Sequence, residues 1–252
     1  MKRFQVIGAG LFAVSALAAA PAHAEEWTRK SFVLPRSSFE ITGDPARPTM
    51  STVNTSDDAF AKPVTIAPHF YWGATGSLTL GISHQTGLCL NECDRVYDDV
   101  GFDMMLFLVG SRKFELDLHV GAPVSSFDPF TIGGQVGVLG RVNIGAVTAL
   151  VFDPSLYIGF NRRDEGNREY LNLPFWFYFQ ANDVIVPFVG SAVADGPLDD
   201  LYDDFALPLE GGILFDVAQD VDVGFSLRFP RLIGSDGTGK ISNLSFLGRF
   251  RF

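Results

Sequence analysis

The sequence predicts an all-β protein: a single closed antiparallel transmembrane β-barrel of about twelve strands. Three observations predict it. From Val64 onward the chain breaks into short segments in which apolar and polar side chains alternate. The connections between those segments alternate between tight turns and long polar loops. The chain ends on "FLGRFRF", residues 246–252, which reads as the interior of a strand, whereas a loose terminus has nothing to pack against and frays.

The first element is not a strand. Lys2 and Arg3 open the chain, an uncharged apolar stretch follows over residues 6–20, and "AHA" at residues 22–24 is a small-x-small cleavage site. The apolar stretch is shorter than the roughly 20 residues a spanning helix needs, so it reads as a secretory signal peptide cleaved after Ala24. Removing it takes away Lys2 and Arg3 and moves the net charge from −10 to −12. So acidic a chain is a poor partner for nucleic acid, which requires a basic face. A length of 252 residues suits one all-β domain.

The twelve strands are expected at residues 32–42, 64–74, 77–86, 101–110, 113–124, 130–141, 144–160, 170–180, 184–194, 206–218, 221–233 and 241–252. In the third, Leu78, Leu80 and Ile82 share one face, with Thr79, Gly81 and Ser83 on the other. In the fifth, Phe114, Leu116, Leu118 and Val120 oppose Glu115, Asp117 and His119. The eleventh sets Val221, Val223, Phe225, Leu227 and Phe229 against Asp222, Gly224, Ser226 and Arg228. The twelfth sets Leu244, Phe246, Phe250 and Phe252 against Asn243, Ser245, Arg249 and Arg251. Successive side chains of a strand point to opposite faces, so each ribbon has one greasy and one polar side. The seventh is the weakest in register, and its Asp153-Pro154 is read as a bulge, because proline cannot donate to an interior ladder.

Two architectures use such ribbons. A soluble sandwich hides the greasy face, whereas a membrane barrel shows it to lipid. The connections decide. "TG", "SR", "VN", "AND" and "QD" are tight, while residues 43–63, 87–100, 162–169, 195–205 and 234–240 make long polar links and 125–129 a short one. Short turns at one end and long loops at the other belong to the membrane barrel.

The last strand resembles the C-terminal signature of bacterial outer-membrane β-barrel proteins, a porin-like class whose final strand alternates and ends on Phe. Phe250 and Phe252 match its last two apolar positions, Ser245 its upstream polar position, and the glycine departs by one place, at Gly248 where Leu247 is expected to be Gly. The resemblance implies a cleaved signal at 1–24, a short periplasmic segment at 25–31 and an outer-membrane barrel at 32–252. It also implies recognition of the C-terminal strand by the barrel-assembly machinery. Trp72, Phe250 and Phe252 are then expected at the periplasmic interface, and Phe130, Phe160 and Tyr170 at the outer one, where aromatic rings prefer headgroup level.

Chemistry is sparse. Cys89 and Cys93 in "LCLNECD" read as a disulfide in an oxidising compartment, with free thiols or a metal pair as the other readings. The acidic runs Glu92, Asp94, Asp98, Asp99 and Asp195, Asp199, Asp200, Asp203, Asp204 match no calcium-loop spacing and read as a solvated rim. His69, Tyr71, Glu115, Asp117, His119, Asp222, Arg228, Arg249 and Arg251 are the candidate lumen residues. They line a water path or pair across a filled interior. No G-x-S-x-G motif is present, and "HQTG" and "LHVG" match no hydrolase, so no catalytic residue, metal or cofactor is expected. The leading expectation is a channel or transporter for small solutes, with outer-membrane lipid as its surroundings. A filled surface-interaction barrel is the alternative, and an outer-membrane lipase or protease comes last.

Overall fold

The computed structural model describes residues 27–55, 62–199, 206–234 and 242–252. The expected signal peptide at 1–24, and Asp200, Asp203 and Asp204, lie outside the described residues. The strands are β1 (Phe39–Thr42), β2 (Thr49–Asn54), β3 (Val64–Ile66), β4 (His69–Thr75), β5 (Leu78–Ser83), β6 (Leu88–Cys89), β7 (Val100–Gly110), β8 (Phe114–Phe127), β9 (Phe130–Ile144), β10 (Thr148–Phe152), β11 (Ser155–Gly159), β12 (Tyr170–Phe179), β13 (Ile185–Pro197), β14 (Ala206–Ala218), β15 (Val221–Gly234) and β16 (Asn243–Arg251).

Twelve of them form a closed ring, β1-β4-β5-β7-β8-β9-β10-β12-β13-β14-β15-β16, with β16 pairing back onto β1. The closing ladder sets Glu40 against Arg251 and Thr42 against Arg249. The last residue takes part: Phe39 N donates to Phe252 O at 3.0 Å, and Phe252 N donates to Phe39 O at 2.9 Å. Unpaired backbone in lipid is costly, so the ring must close, and the strand-like terminus is what closes it.

The other four strands extend the wall at the long-loop end. β2 continues along β16, β3 along β2, and β6 along β3, while β11 lies between β9 and β12 beyond β10. Proline accompanies the interruptions that set off β2, β3 and β11. Pro45 and Pro48 fall between β1 and β2, Pro68 between β3 and β4, and Pro154 between β10 and β11, and none can donate to a ladder.

The faces settle the choice between sandwich and barrel. On β8, Glu115, Asp117 and His119 are buried while Phe114 is 39 % exposed. On β4, Tyr71 is buried while Phe70 and Trp72 are exposed. Polar-in and apolar-out is the reverse of a soluble protein. Phe39, Trp72, Phe114, Phe179 and Phe252 are exposed near the short turns, and Phe130, Phe160 and Tyr170 near the long loops, as two aromatic girdles require. No helix among the described residues is long and apolar enough to cross a membrane; the crossing elements are strands.

Two expectations need correction. The first strand starts at Phe39, not residue 32, and of the segment expected at 25–31 as periplasmic, the described residues 27–31 continue with 32–34 as one stretch. They enter the barrel, where Trp27, Phe32, Val33 and Leu34 are buried. The apolar pairs in this stretch pack against the inner wall, which a period-two reading mistakes for strand. At Asp153-Pro154 the ladder breaks but no residue is gained: Phe152 faces Gly140 and Ser155 faces Gly137, three steps on both strands. The register shift falls one pair along, between β12 and β13 at Asn172/Pro174.

Candidate functional site: a stoppered lumen with an outer vestibule

The interior divides into two storeys. The storey at the short-turn end is full. Inward residues of the wall, Met105, Leu139, Val151, Tyr178, Val186, Leu214 and Leu247, join Trp27, Phe32, Val33 and Leu34 in one apolar cluster. Trp27 lies on Tyr178 with ring centroids 4.1 Å apart. Around this cluster the polar wall grips the incoming segment. Lys30 Nζ donates to Asp216 Oδ1 at 3.0 Å and to Asp222 Oδ1 at 2.9 Å. Glu115 accepts from Ser31 Oγ at 2.5 Å and from Phe32 N at 3.0 Å. Leu34 N donates to Thr79 Oγ1 at 2.8 Å, and Arg251 Nη2 to Ser31 O at 2.7 Å. Arg141 pairs with Glu115 at 2.6 Å and donates to the carbonyls of Lys30 and Arg29.

The residues between β1 and β2 form a second inward excursion above it. Ala46 is fully buried, its carbonyl accepts from Tyr178 Oη at 2.9 Å, and Pro45 O accepts from Arg249 Nη2 at 2.9 Å. Asp44 Oδ1 holds this loop by accepting from Ala46 N at 2.8 Å.

The outer storey is a cavity of about 540 Å³ among the long loops. On one wall the Tyr71 hydroxyl donates to Asp103 Oδ2 at 3.2 Å and lies 3.2 Å from His69 Nδ1. His119 stands between two carboxylates, with Nδ1 3.3 Å from Asp153 Oδ1 and Nε2 4.0 Å from Asp103 Oδ1. On the opposite wall Glu210 accepts from Arg47 at 2.8 Å, from Ser226 Oγ at 2.5 Å and from Trp176 Nε1 at 3.5 Å. Arg228 faces Glu210 across the β14–β15 ladder and lines the same cavity.

The nine lumen candidates stand on the inner face, four in the filled storey, four at the vestibule and Asp117 between the two. Glu115, Asp222, Arg249 and Arg251 belong to the filled storey, where Arg249 and Arg251 pair with Glu40 at 3.7 and 2.5 Å. Asp117, fully buried, lies between Glu115 and His119 on β8. His69, Tyr71, His119 and Arg228 line the vestibule. Glu40, Asp103, Arg141, Glu210 and Asp216 are inner-face partners of these residues that the sequence reading omitted, although the same alternation marks each. Lys30, Asp44 and Arg47 carry no such signal, because they sit on irregular segments that only the closed ring brings inside.

The loop candidates are tied down too. Cys89 and Cys93 form a disulfide. Asp99 accepts from Gly87 N at 3.1 Å, Asp98 from Phe127 N at 2.8 Å, and Asp199 from Arg168 at 2.6 Å. Among the described residues no group of three His, Cys, Asp or Glu is arranged for a metal. His119 Nδ1 is engaged with Asp153, and Nε2 stands 4.0 Å from the Asp103 carboxylate. Ser245 is buried on the inner face of β16, while Phe252 is 73 % exposed beside Phe39.

No family model and no curated protein matches the sequence. The architecture does have counterparts. The KdgM porin, solved in complex with disordered oligogalacturonate, superposes with a TM-score of 0.58 over 85 % of this chain and 99 % of that one, at 6 % identity. The fold is that of an outer-membrane porin. The NanC porin gives a TM-score of 0.53 over 85 % of this chain and 98 % of its own, again at 6 % identity. Within this porin fold the long loops face outward and the short turns and both strand termini of the ring face the periplasm. The vestibule is then on the outer side and the gripped segment at the periplasmic mouth.

Proposed function

We propose that this porin-fold chain resides in the bacterial outer membrane as a channel for small polar solutes, entered through the outer vestibule. One observation carries the reading: a closed barrel, apolar outside, holds a cavity of about 540 Å³ walled by hydrogen-bonded charges. Five carboxylates line it, Asp44, Asp103, Asp153, Asp195 and Glu210, against the two guanidinium groups of Arg47 and Arg228. Arg47 is committed to Glu210. A lumen with an excess of one sign focuses its potential and draws counter-ions. Neutral and cationic solutes are favoured over a polyanion such as the oligogalacturonate present with the KdgM porin.

Reconstitution into planar bilayers tests this. The expected result is conductance with a reversal potential displaced toward cation selectivity in a salt gradient. Anion selectivity overturns the solute class, and the absence of any conductance, in the protein and in variants lacking residues 27–34, overturns the channel. The apolar inward residues Leu139, Val151 and Val186 support a second reading, a barrel permanently filled at its base that binds ligands from outside. Export by the signal at 1–24, assembly through the strand ending at Phe252, and the lack of enzymatic activity complete the proposal. Hydrolysis of lipid or peptide by the purified barrel overturns the last.

A further inference from the structure

We infer, resting on the channel reading above, that residues 27–34 are a withdrawable stopper: they close the periplasmic mouth and must leave it before solute passes. The segment belongs to no strand and pairs with none of the wall's ladders. It is held instead at discrete points by side chains. The Lys30 ammonium is the central latch, shared by Asp216 and Asp222. Those two aspartates stand directly opposite each other on β14 and β15. Like charges facing across a ladder repel; Arg249 of β16 reaches Asp222 at 3.8 Å, and among the described residues no cation of the wall is paired with Asp216, so the wall carries a seat for one more cation. The mobile part brings the cation with it.

The wall also behaves as a surface meant to be wetted. Among the described residues no donor group faces either carboxylate oxygen of Asp117, which is fully buried next to Glu115, or Asp216 Oδ2, which lies beside Asp222. A buried carboxylate without a donor is unfavourable, and an open, water-filled mouth removes that penalty. Against it, the stopper's apolar side chains cover an apolar patch of the wall, and burial of that patch favours closure. The two tendencies oppose each other across one short segment, which is the condition for two accessible positions.

The decisive test is a reversible lock. Leu34 N donates to Thr79 Oγ1 at 2.8 Å, so the two residues are neighbours across the gap between stopper and wall. Leu34→Cys with Thr79→Cys, in a Cys89→Ser/Cys93→Ser background, is oxidised, inserted in a planar bilayer and then reduced in place. The expected result is silence when oxidised and a rise in open probability of about tenfold or more on reduction. In the otherwise unchanged chain, Lys30→Met should raise open probability by a similar factor with no reductant. Equal conductance in the locked and reduced states overturns the stopper and leaves the channel reading standing. Silence in every variant, including a chain lacking residues 27–34 that still shows the gel shift of a folded barrel, overturns both.

Discussion

Arg141 shows how much one side chain holds. It is buried, pairs with Glu115 at 2.6 Å, caps two carbonyls of the incoming segment and lies over the Phe32 ring at 5.3 Å. Taking away one partner of a buried ion pair leaves the other uncompensated, at a typical loss of about 3–5 kcal/mol. Arg141→Met is expected to destabilise the barrel on that scale in urea unfolding from detergent, and Arg141→Met with Glu115→Met to recover most of it. Asp98 gives a pH signature in a loop outside the membrane. Its carboxylate accepts from Phe127 N, and then from Ser126 and Arg95, which holds its pKa below the ordinary aspartate value. A depressed folded pKa stabilises above the unfolded pKa, and the contribution is lost as pH falls through the folded value. The Phe127 amide should therefore stay protected from hydrogen exchange at neutral and mildly acidic pH, and lose protection in strong acid. Asp98→Asn should abolish that transition. Cys89 and Cys93 are expected to take no alkylating label until reductant is added, and both to label afterwards.

At the scale of the element, β16 presents two different faces. Its inner face presents Ser245, Leu247, Arg249 and Arg251, and its outer face ends in Phe250 and Phe252. Phe252 adds a pair of backbone hydrogen bonds to Phe39 and a ring to the lower girdle. Deleting it is expected to reduce the yield of heat-modifiable barrel in the outer membrane, read by unboiled gel mobility, while the fraction that inserts keeps the lumen charges of its parent. Most of the wall was legible at this scale, because a strand writes its two faces into adjacent residues. The alternation in β8 names Glu115, Asp117 and His119 directly. The same reading breaks down where local pattern and partner diverge: residues 32–34 alternate poorly and pack inward without pairing, and Pro154 interrupts a ladder without shifting it.

For the whole molecule, the apolar exterior implies a protein that leaves the membrane only with detergent and runs faster on a gel unheated than boiled. A chain that remained soluble and monomeric after removal of residues 1–24 would contradict the membrane orientation of both faces. The class, the strand number and the polar interior were set by the sequence alone, since a period of two residues and an alternation of turn lengths are local properties. The occupancy of the lumen was decided only by tertiary structure. Residues 27–34 and 43–48 have no period that marks them as lumen filling, and their partners lie far along the chain: Lys30 meets Asp216 and Asp222, and Arg47 meets Glu210. A barrel's interior is defined only once the last strand closes on the first, so which segments lie inside it, and which charges they neutralise there, is a property of the closed ring and of no single stretch of sequence.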